Sequence, residues 1–167
     1  MAAGPAHEVA PFYKGWDAYQ QRLVDALSPL SAEELRLKAA PHLWSIGMLG
    51  LHVVATRAWW FYGWMREGGP EFEAIQEWDE GDPPAERPAG EIVEGLRATW
   101  AMMEDALRRW TSVDLDEVFQ RPVPNPSGER HRHPRQWILW HVAEHDMHHG
   151  GEISFSLGIH GLRGLDL

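Results

Sequence analysis

The sequence has no cysteine, which excludes disulfide bonds, thiolate nucleophiles and cysteine-ligated metal sites. It has no clean apolar run of membrane-spanning length, because the longest candidate, residues 46–65, is interrupted by His52, Arg57 and several glycines. Basic residues are few, and the formal net charge of −10 opposes binding to nucleic acid or to an anionic membrane. The opening residues lack the basic end and apolar stretch of a signal peptide, so we expect a cytoplasmic protein.

Tryptophan and histidine are unusually frequent. The 167 residues include 10 of each, within an ordinary share of 44% hydrophobic and 24% charged residues. This length and composition predict one globular domain, residues 1–167, with a sizeable core. The tryptophans indicate a core or pocket that is lined by broad aromatic surfaces.

Apolar residues recur at spacings of three and four in four segments, which predicts four long helices. In the first segment the apolar stripe begins with Phe12 and Trp16 and ends at Leu27. The second segment begins after Ser45, a residue type that is favoured as an N-cap. The predicted helices span about residues 11–27, 46–66, 89–110 and 134–157.

Shorter elements connect these helices. Residues 31–34 form a capping-box pattern that begins a short helix, and one more turn is expected around 72–75. The three prolines of residues 121–128 exclude regular helix there, and residues 118–120 and 129–131 are candidates for a flanking β-ribbon. The whole pattern predicts an all-α fold, a four-helix bundle with one or two short extra helices and a proline-rich connection before the last long helix.

The last predicted helix contains four histidines within nine positions. Positions four apart share a helix face, so His141, His145 and His149 form a ladder on one side. Two imidazoles at this spacing are suited to bind Zn, Ni, Fe or Cu. From spacing alone, three pairs compete as ligands: His141 with His145, His145 with His149, and Glu144 with His148.

Two further residues extend this cluster. Glu152 lies on the same face, just beyond the histidines. On the second predicted helix, His52 lies on the side that we expect to be buried, which makes it the obvious third ligand. A shared metal would satisfy polar groups that are costly to bury alone. Three protein ligands would leave a coordination position open for water or substrate.

The remaining histidines and the other side of the last helix have simpler interpretations. His131 and His133 alternate with arginines, up to Arg135, in a connection that we expect to be solvated. His160 follows the last helix and is expected to be exposed. Away from the histidines, the helix carries small or apolar residues that predict contact with a dimer partner or with another element of the chain. These residues are Leu139, Trp140, Ala143, Met147, Gly150 and Ser154.

Two motifs resemble the DinB/YfiT-like metalloenzymes. Residues 44–52, WSIGMLGLH, resemble the family's tryptophan-serine pair followed by a histidine, and residues 145–153, HDMHHGGEI, are similar to its closing H-D-x-x-H-x-G-Q-I run. The order of the long helices also agrees, so the resemblance covers nearly the whole chain. It implies a four-helix bundle, often a homodimer, that binds a divalent metal through His52, His145 and His149. Zn or Ni is the metal expected first, with Fe or Mn as further options.

The resemblance also implies a function. Some relatives are transferases or isomerases that use low-molecular-weight thiols, so we expect a metal-dependent enzyme of that type acting on a small molecule. Glu152 or His141 would serve as the catalytic residue that orients a ligand or moves a proton. Glu152 could instead accept a proton from a ligand imidazole or bind the metal itself. Where the family often has Arg and Gln, this chain has Gly150 and Glu152, which changes the polarity of the site. The alternatives are a metal-dependent hydrolase, a non-catalytic metal-binding stress-response protein and a purely structural helical dimer.

Overall fold

The computed structural model describes residues 6–166. Within that range, four long helices are joined by two short helices, 3-10 turns and a small β-ribbon, which confirms the predicted all-α bundle. None of the described helices is both long enough and apolar enough to cross a membrane. The helices are α1 (Lys14–Leu27), α2 (Ala32–Leu35), α3 (Ile46–Ala58), α4 (Phe72–Ile75), α5 (Ala89–Arg109) and α6 (Arg135–Ile159).

The first helix begins later than predicted. Residues Ala10–Tyr13 form a 3-10 turn, and α1 starts only at Lys14. Trp16 and Leu27 are buried as expected, whereas Phe12 is 83% exposed, so its predicted place in the buried stripe is wrong. The physical reason is that a 3-10 turn repeats every three residues and does not continue the stripe of the α-helix that follows.

The second long helix begins as predicted and ends with a wider turn. The hydroxyl of Ser45 accepts a hydrogen bond from the backbone N–H of Met48 at 3.2 Å, which makes it the N-cap. After α3 the chain continues as a π-helical segment, Trp59–Trp64, and leaves the helix at Arg66 with a φ of 63°. The π-helical turns, which the sequence pattern did not predict, rotate these tryptophans relative to the residues of α3.

A layer of buried polar side chains divides the core into two apolar clusters. One cluster is rich in tryptophan, and the other consists mostly of Leu, Ile and Val. Groups buried in this way need internal hydrogen-bond partners, and the layer therefore fixes how the helices face one another. Its members are Gln20 in α1, Arg57 in α3, Thr99 in α5 and Asp146 in α6. Arg57 donates to both Gln20 and Asp146, whereas the hydroxyl of Thr99 donates to carbonyls of its own helix.

The outer side of α6 is partly covered by α1. A Cβ atom built at Gly150 would lie 2.1 Å from the hydroxyl of Tyr19 and 3.2 Å from the side chain of Leu23, so only glycine allows this approach. Trp140 and Met147, on the same side of α6, remain exposed. The contact predicted for this side is thus made in part by another element of the same chain. The expected homodimer stays a prediction.

The predicted ribbon forms with a shifted second strand. Strand β1 (Val118–Gln120) pairs antiparallel with β2 (Arg132–Pro134), so the placement of the second strand at residues 129–131 is wrong. The reason is the hydrogen bonding of the tip. The backbone N–H of Glu129 donates to the side-chain oxygen of Asn125 at 2.8 Å, and the N–H of Asn125 donates back to the carbonyl of Glu129, which keeps Glu129 in the turn.

Arg135 is not the solvated residue that the sequence suggested. Its side chain is buried at the start of α6, with the guanidinium 4.4 Å from the ring centroid of Trp110 and 4.9 Å from that of Phe119. It also donates a hydrogen bond to the carboxylate of Glu117 at 2.7 Å. A planar guanidinium stacks on aromatic rings more readily than an ammonium group, so Arg135 anchors the ribbon to the bundle.

Candidate metal centre

The centre lies between α3 and α6. His52 of α3 faces His145 and His149 of α6, and one imidazole nitrogen from each ring lies within 4.8 Å of the others. The Nε2 atoms of His52 and His145 are 3.0 Å apart. The three ring centroids are separated by 4.7, 4.9 and 4.4 Å. The fold therefore brings together the three residues that the family resemblance implied as ligands.

A carboxylate from the connection between α4 and α5 orients His52. The Nδ1–H of His52 donates to Asp79 at 2.6 Å. Because a carboxylate accepts and does not donate, Nδ1 carries the proton and Nε2 presents its lone pair to the centre. Histidines that bind metals commonly donate their second N–H in this way. Asp79 was not predicted from the sequence, since it lies in an acidic connection that only the fold brings to α3.

Glu152 plays the same part for His149. Its carboxylate accepts a hydrogen bond from the Nδ1–H of His149 at 2.6 Å, and its own side chain is half-exposed. This leaves Nε2 of His149 available to a metal. Glu152, which the sequence suggested as a catalytic residue, thus lies behind the ring of His149. In this position it orients His149.

Two of the three rings are held in the neutral form. Burial, together with the neighbouring His149 and His52, lowers the pKa of His145 from 6.5 to about 3. Burial also lowers the pKa of His149, although the hydrogen bond to Glu152 opposes this shift. Neutral imidazole is the form that binds metal, because the lone pair must be free of a proton. The centre is therefore ready to bind a cation at neutral pH.

The arrangement of donor atoms suits a divalent metal. Two imidazole nitrogens that face each other at 3.0 Å need a positive partner between them, which is either a proton or a metal ion. Nitrogens bound at about 2.0–2.1 Å in a tetrahedral arrangement lie about 3.3 Å apart, close to the spacing of these two rings. Nδ1 of His145 is buried and has no hydrogen-bond partner among residues 6–166, so packing rather than a carboxylate holds this ring.

A surface cleft of about 860 Å³ adjoins the centre. The three histidines do not line the cleft, but Trp44 and Asp79, which both contact His52, do. The ring centroid of Trp44 lies 4.9 Å from that of His52 and 6.1 Å from that of His149. The side chain of His52 keeps 23% of its surface exposed, so solvent reaches the centre. Further lining residues include the apolar Leu35, Met48, Leu51, Pro83 and Pro84 and the charged Lys38 and Glu86.

His141 lies beside the centre in an aromatic wall. Its ring centroid is 6.4 Å from that of His145, and the ring stacks on Trp137 at 4.9 Å and meets the edge of Trp60 at 5.0 Å. Trp137 also stacks on His133 at 3.7 Å, so the expectation that His133 is a solvated loop residue is wrong. Burial lowers the pKa of both His141 and His133. His141 is therefore a neutral ring next to the ligands.

The third candidate ligand pair of α6, Glu144 with His148, points away from the centre. Glu144 and His148 are exposed, and the structure brings neither of them to His52. Nε2 of His148 instead lies 3.7 Å from the carboxylate of Glu152. His160 is exposed, as the sequence predicted, and donates to the carbonyl of Lys38 at 2.9 Å.

A buried ion pair lies behind the centre. Arg57 donates to Asp146 from Nε at 3.0 Å and from a terminal nitrogen at 2.7 Å, and both side chains are 0% exposed. The indole of Trp16 also donates to Asp146 at 2.6 Å, and the side-chain oxygen of Gln20 accepts from Arg57 at 2.6 Å. Asp146 directly follows His145, so the pair ties α3 to α6 beside the ligands. The sequence does carry a signal for this ion pair, because Arg57 and Asp146 are each a charged residue on an otherwise apolar helix face.

Residues 16–153 match the DinB superfamily, over a region that includes all three histidines and Asp79. The chain belongs to the DinB superfamily. A crystal structure of a DinB-like protein from Bacillus cereus ATCC 10987 has a TM-score of 0.68 at 22% identity, covering 93% of this chain and 95% of that one. A conserved protein from Enterococcus faecalis gives 0.64 at 15% identity, covering 91% and 98%. These likenesses show the shared fold, and no curated protein matches.

Two adjacent residues of the closing motif of this DinB protein face different environments. His145 faces the centre, and the next residue, Asp146, faces the buried polar layer. The two positions that depart from the family pattern also have clear structural consequences. Gly150 allows α1 to approach α6, and Glu152 holds the ring of His149. The departures therefore lie at the border of the candidate centre and leave its three histidines intact.

Proposed function

We propose that this DinB protein is a divalent-metal-dependent enzyme whose metal is held by His52, His145 and His149. The observation that carries the proposal is the convergence of three imidazole nitrogens within 4.8 Å of one another, beside a surface cleft. A purely structural metal would favour a closed, four-ligand site. Three histidines that solvent can reach instead favour a site with a position left for a substrate.

The carboxylates behind two of the ligands support the same assignment. Asp79 and Glu152 each accept the Nδ1–H of a ligand histidine, which fixes the ring and makes its other nitrogen more basic. Partners of this kind typically change metal affinity by about 10–100-fold when they are mutated. An all-imidazole ligand set favours Zn²⁺ or Ni²⁺, with Fe²⁺ or Mn²⁺ as further options.

The reaction that we propose is a transfer or isomerisation that depends on a low-molecular-weight thiol. A metal bound at this centre would lower the pKa of a thiol or water that occupies its open position. The thiol must come from a small molecule, because the chain has no cysteine. The apolar lining of the cleft, with Trp44 next to His52, would pack on the substrate and exclude water. His141, which lies next to His145 in the aromatic wall, would orient the bound ligand.

Metal analysis of protein purified without a His tag tests the ligand assignment. We expect about one metal ion per chain in the wild type and little metal in His145→Ala. His42→Ala is the matched control, because His42 is an exposed histidine outside the centre. Equal metal content in His145→Ala and His42→Ala would contradict the assignment.

A cobalt-substituted protein tests whether a coordination position is open. Adding a small thiol such as 2-mercaptoethanol should change the visible absorption of the bound Co²⁺ and add a sulfur-to-metal band. A spectrum that responds to azide but not to thiol would favour the hydrolase alternative. A spectrum that responds to neither would indicate a closed site and favour a non-catalytic metal-binding protein.

A further inference from the structure

A second cluster of possible metal ligands lies on the exposed side of α6. We name it the rim cluster, and it consists of His148, His149 and Glu152. One donor atom from each lies within 4.8 Å of the others. The two oxygens of Glu152 divide between the histidines, one lying 2.6 Å from Nδ1 of His149 and the other 3.7 Å from Nε2 of His148.

The geometry of α6 makes this cluster a preformed site. His148 and Glu152 are four residues apart on a long helix, so their side chains share one face at a fixed spacing. The cluster lies well inside the helix, away from both fraying ends. Two imidazoles and one carboxylate form a ligand set that binds zinc in known proteins. Because these positions lie on one rigid helix, a cation would order only side chains.

The charge and exposure of the rim cluster favour a cation that keeps some of its water. The side chains of His148 and Glu152 are 65% and 45% exposed, so a bound ion would fill its remaining positions from solvent. The rim cluster contains a carboxylate, and the whole chain has a formal charge of −10. Both features attract divalent cations.

We propose that the rim cluster is a second divalent-cation site, weaker than the centre formed with His52 and His145. The two sites share the ring of His149, whose Nε2 faces the centre and whose Nδ1 faces Glu152. A rim cation that binds Nδ1 must displace the proton that Nδ1 donates to Glu152, and this proton leaves to solvent, which is why the rim site is the weaker of the two. The rim site stands on the geometry of α6 alone and does not require the metal-dependent reaction proposed above. The competing interpretation is that Glu152 only orients His149 and that His148 is an ordinary surface residue.

Calorimetric titration of the tag-free, chelator-stripped full chain with Zn²⁺ tests the site. We expect a tight and a weaker binding event in the wild type. His148→Ala should lose the weaker event and keep the tight one, because the centre does not use His148. His131→Ala is the matched control: His131 is also half-exposed and lies 3.9 Å from the carboxylate of Glu129, but its surroundings among the described residues offer no third ligand.

The same titration separates this proposal from the proposed function. His145→Ala should lose the tight event and retain the weaker one. A wild type whose only binding event is unchanged by His148→Ala, or a weaker event that survives His148→Ala, would overturn the rim site. A wild type that shows only the weaker, His148-dependent event would contradict the metal-dependent enzyme and leave the rim site standing.

Discussion

Removing the charge of Asp146 should destabilise the protein strongly, although Asp146 is not one of the proposed ligands. Its carboxylate is 0% exposed and accepts hydrogen bonds from Arg57 and from the indole of Trp16. Asp146→Asn keeps the shape of the side chain but leaves the guanidinium of Arg57 buried without a counter-charge. Breaking a buried ion pair in this way costs about 3–5 kcal/mol. That is a large part of the total stability of about 5–15 kcal/mol of a typical domain.

A second variant removes the other member of the ion pair, Arg57. Arg57→Met replaces the guanidinium with an apolar side chain and leaves Asp146 as the uncompensated charge, so we expect a loss of similar size. The double variant Arg57→Met/Asp146→Asn buries no charge. Its loss should therefore be smaller than that of either single variant and well below their sum.

Urea unfolding followed by tryptophan fluorescence measures these changes. A chelator should be present, because bound metal would stabilise the folded state by mass action. With a slope of about 2 kcal/mol per molar urea, each single variant should shift the midpoint down by about 1.5–2.5 M. The control is Glu86→Gln, which removes an equally short pair with Arg36 on the surface. Solvent screens that pair, so its midpoint should not move measurably.

Two outcomes would refute this reasoning. If Asp146→Asn shifts the urea midpoint no more than Glu86→Gln does, the buried ion pair contributes no more to stability than the exposed one. If the double variant loses the sum of the two single losses, Arg57 and Asp146 are not coupled. In either case the polar layer would not be what holds α3 against α6.

Two further predictions concern the histidines and the contact between α1 and α6. In metal-free protein, His145 has a folded pKa of about 3 against 6.5 when unfolded, so the unfolded state binds more protons between these values. Stability should therefore fall as the pH drops from about 6.5 toward 3, by up to about 1.4 kcal/mol per pH unit, and His145→Gln should reduce this slope in urea midpoints. Gly150→Ala, which clashes with Tyr19, should cost about 1–3 kcal/mol, whereas Gly151→Ala in open space should stabilise by up to about 1 kcal/mol.

Local sequence patterns predicted the helices because the cause of each helix is local. The capping box at Ser31 and the N-cap at Ser45 both form as expected, since each depends on residues three positions away. Phe12 and the π-helical segment Trp59–Trp64 were missed for a physical reason. A 3-10 or π-helical turn depends on how the segment packs against the rest of the fold, and apolar periodicity does not record that packing.

The candidate centre was predictable only in part. The spacing along α6 offered several ligand pairs, and the resemblance to the DinB family selected His145 and His149 with His52. Asp79 was not predicted, because 27 residues that include an irregular connection separate it from His52. Orienting residues of this kind have no fixed spacing from the ligands that they support, so a periodic pattern does not reveal them.

The order of His145 and Asp146 explains why the centre and the core depend on each other. Consecutive residues of a helix point about 100° apart, so α6 cannot rotate to improve one contact without moving the other. The buried carboxylate of Asp146 accepts hydrogen bonds from three donor atoms on two residues: two nitrogens of Arg57 and the indole of Trp16. That network sets the rotation of α6 against α3, and this rotation places Nε2 of His145 3.0 Å from Nε2 of His52. The precision that metal ligands need is therefore supplied from the side of α6 that carries no ligand.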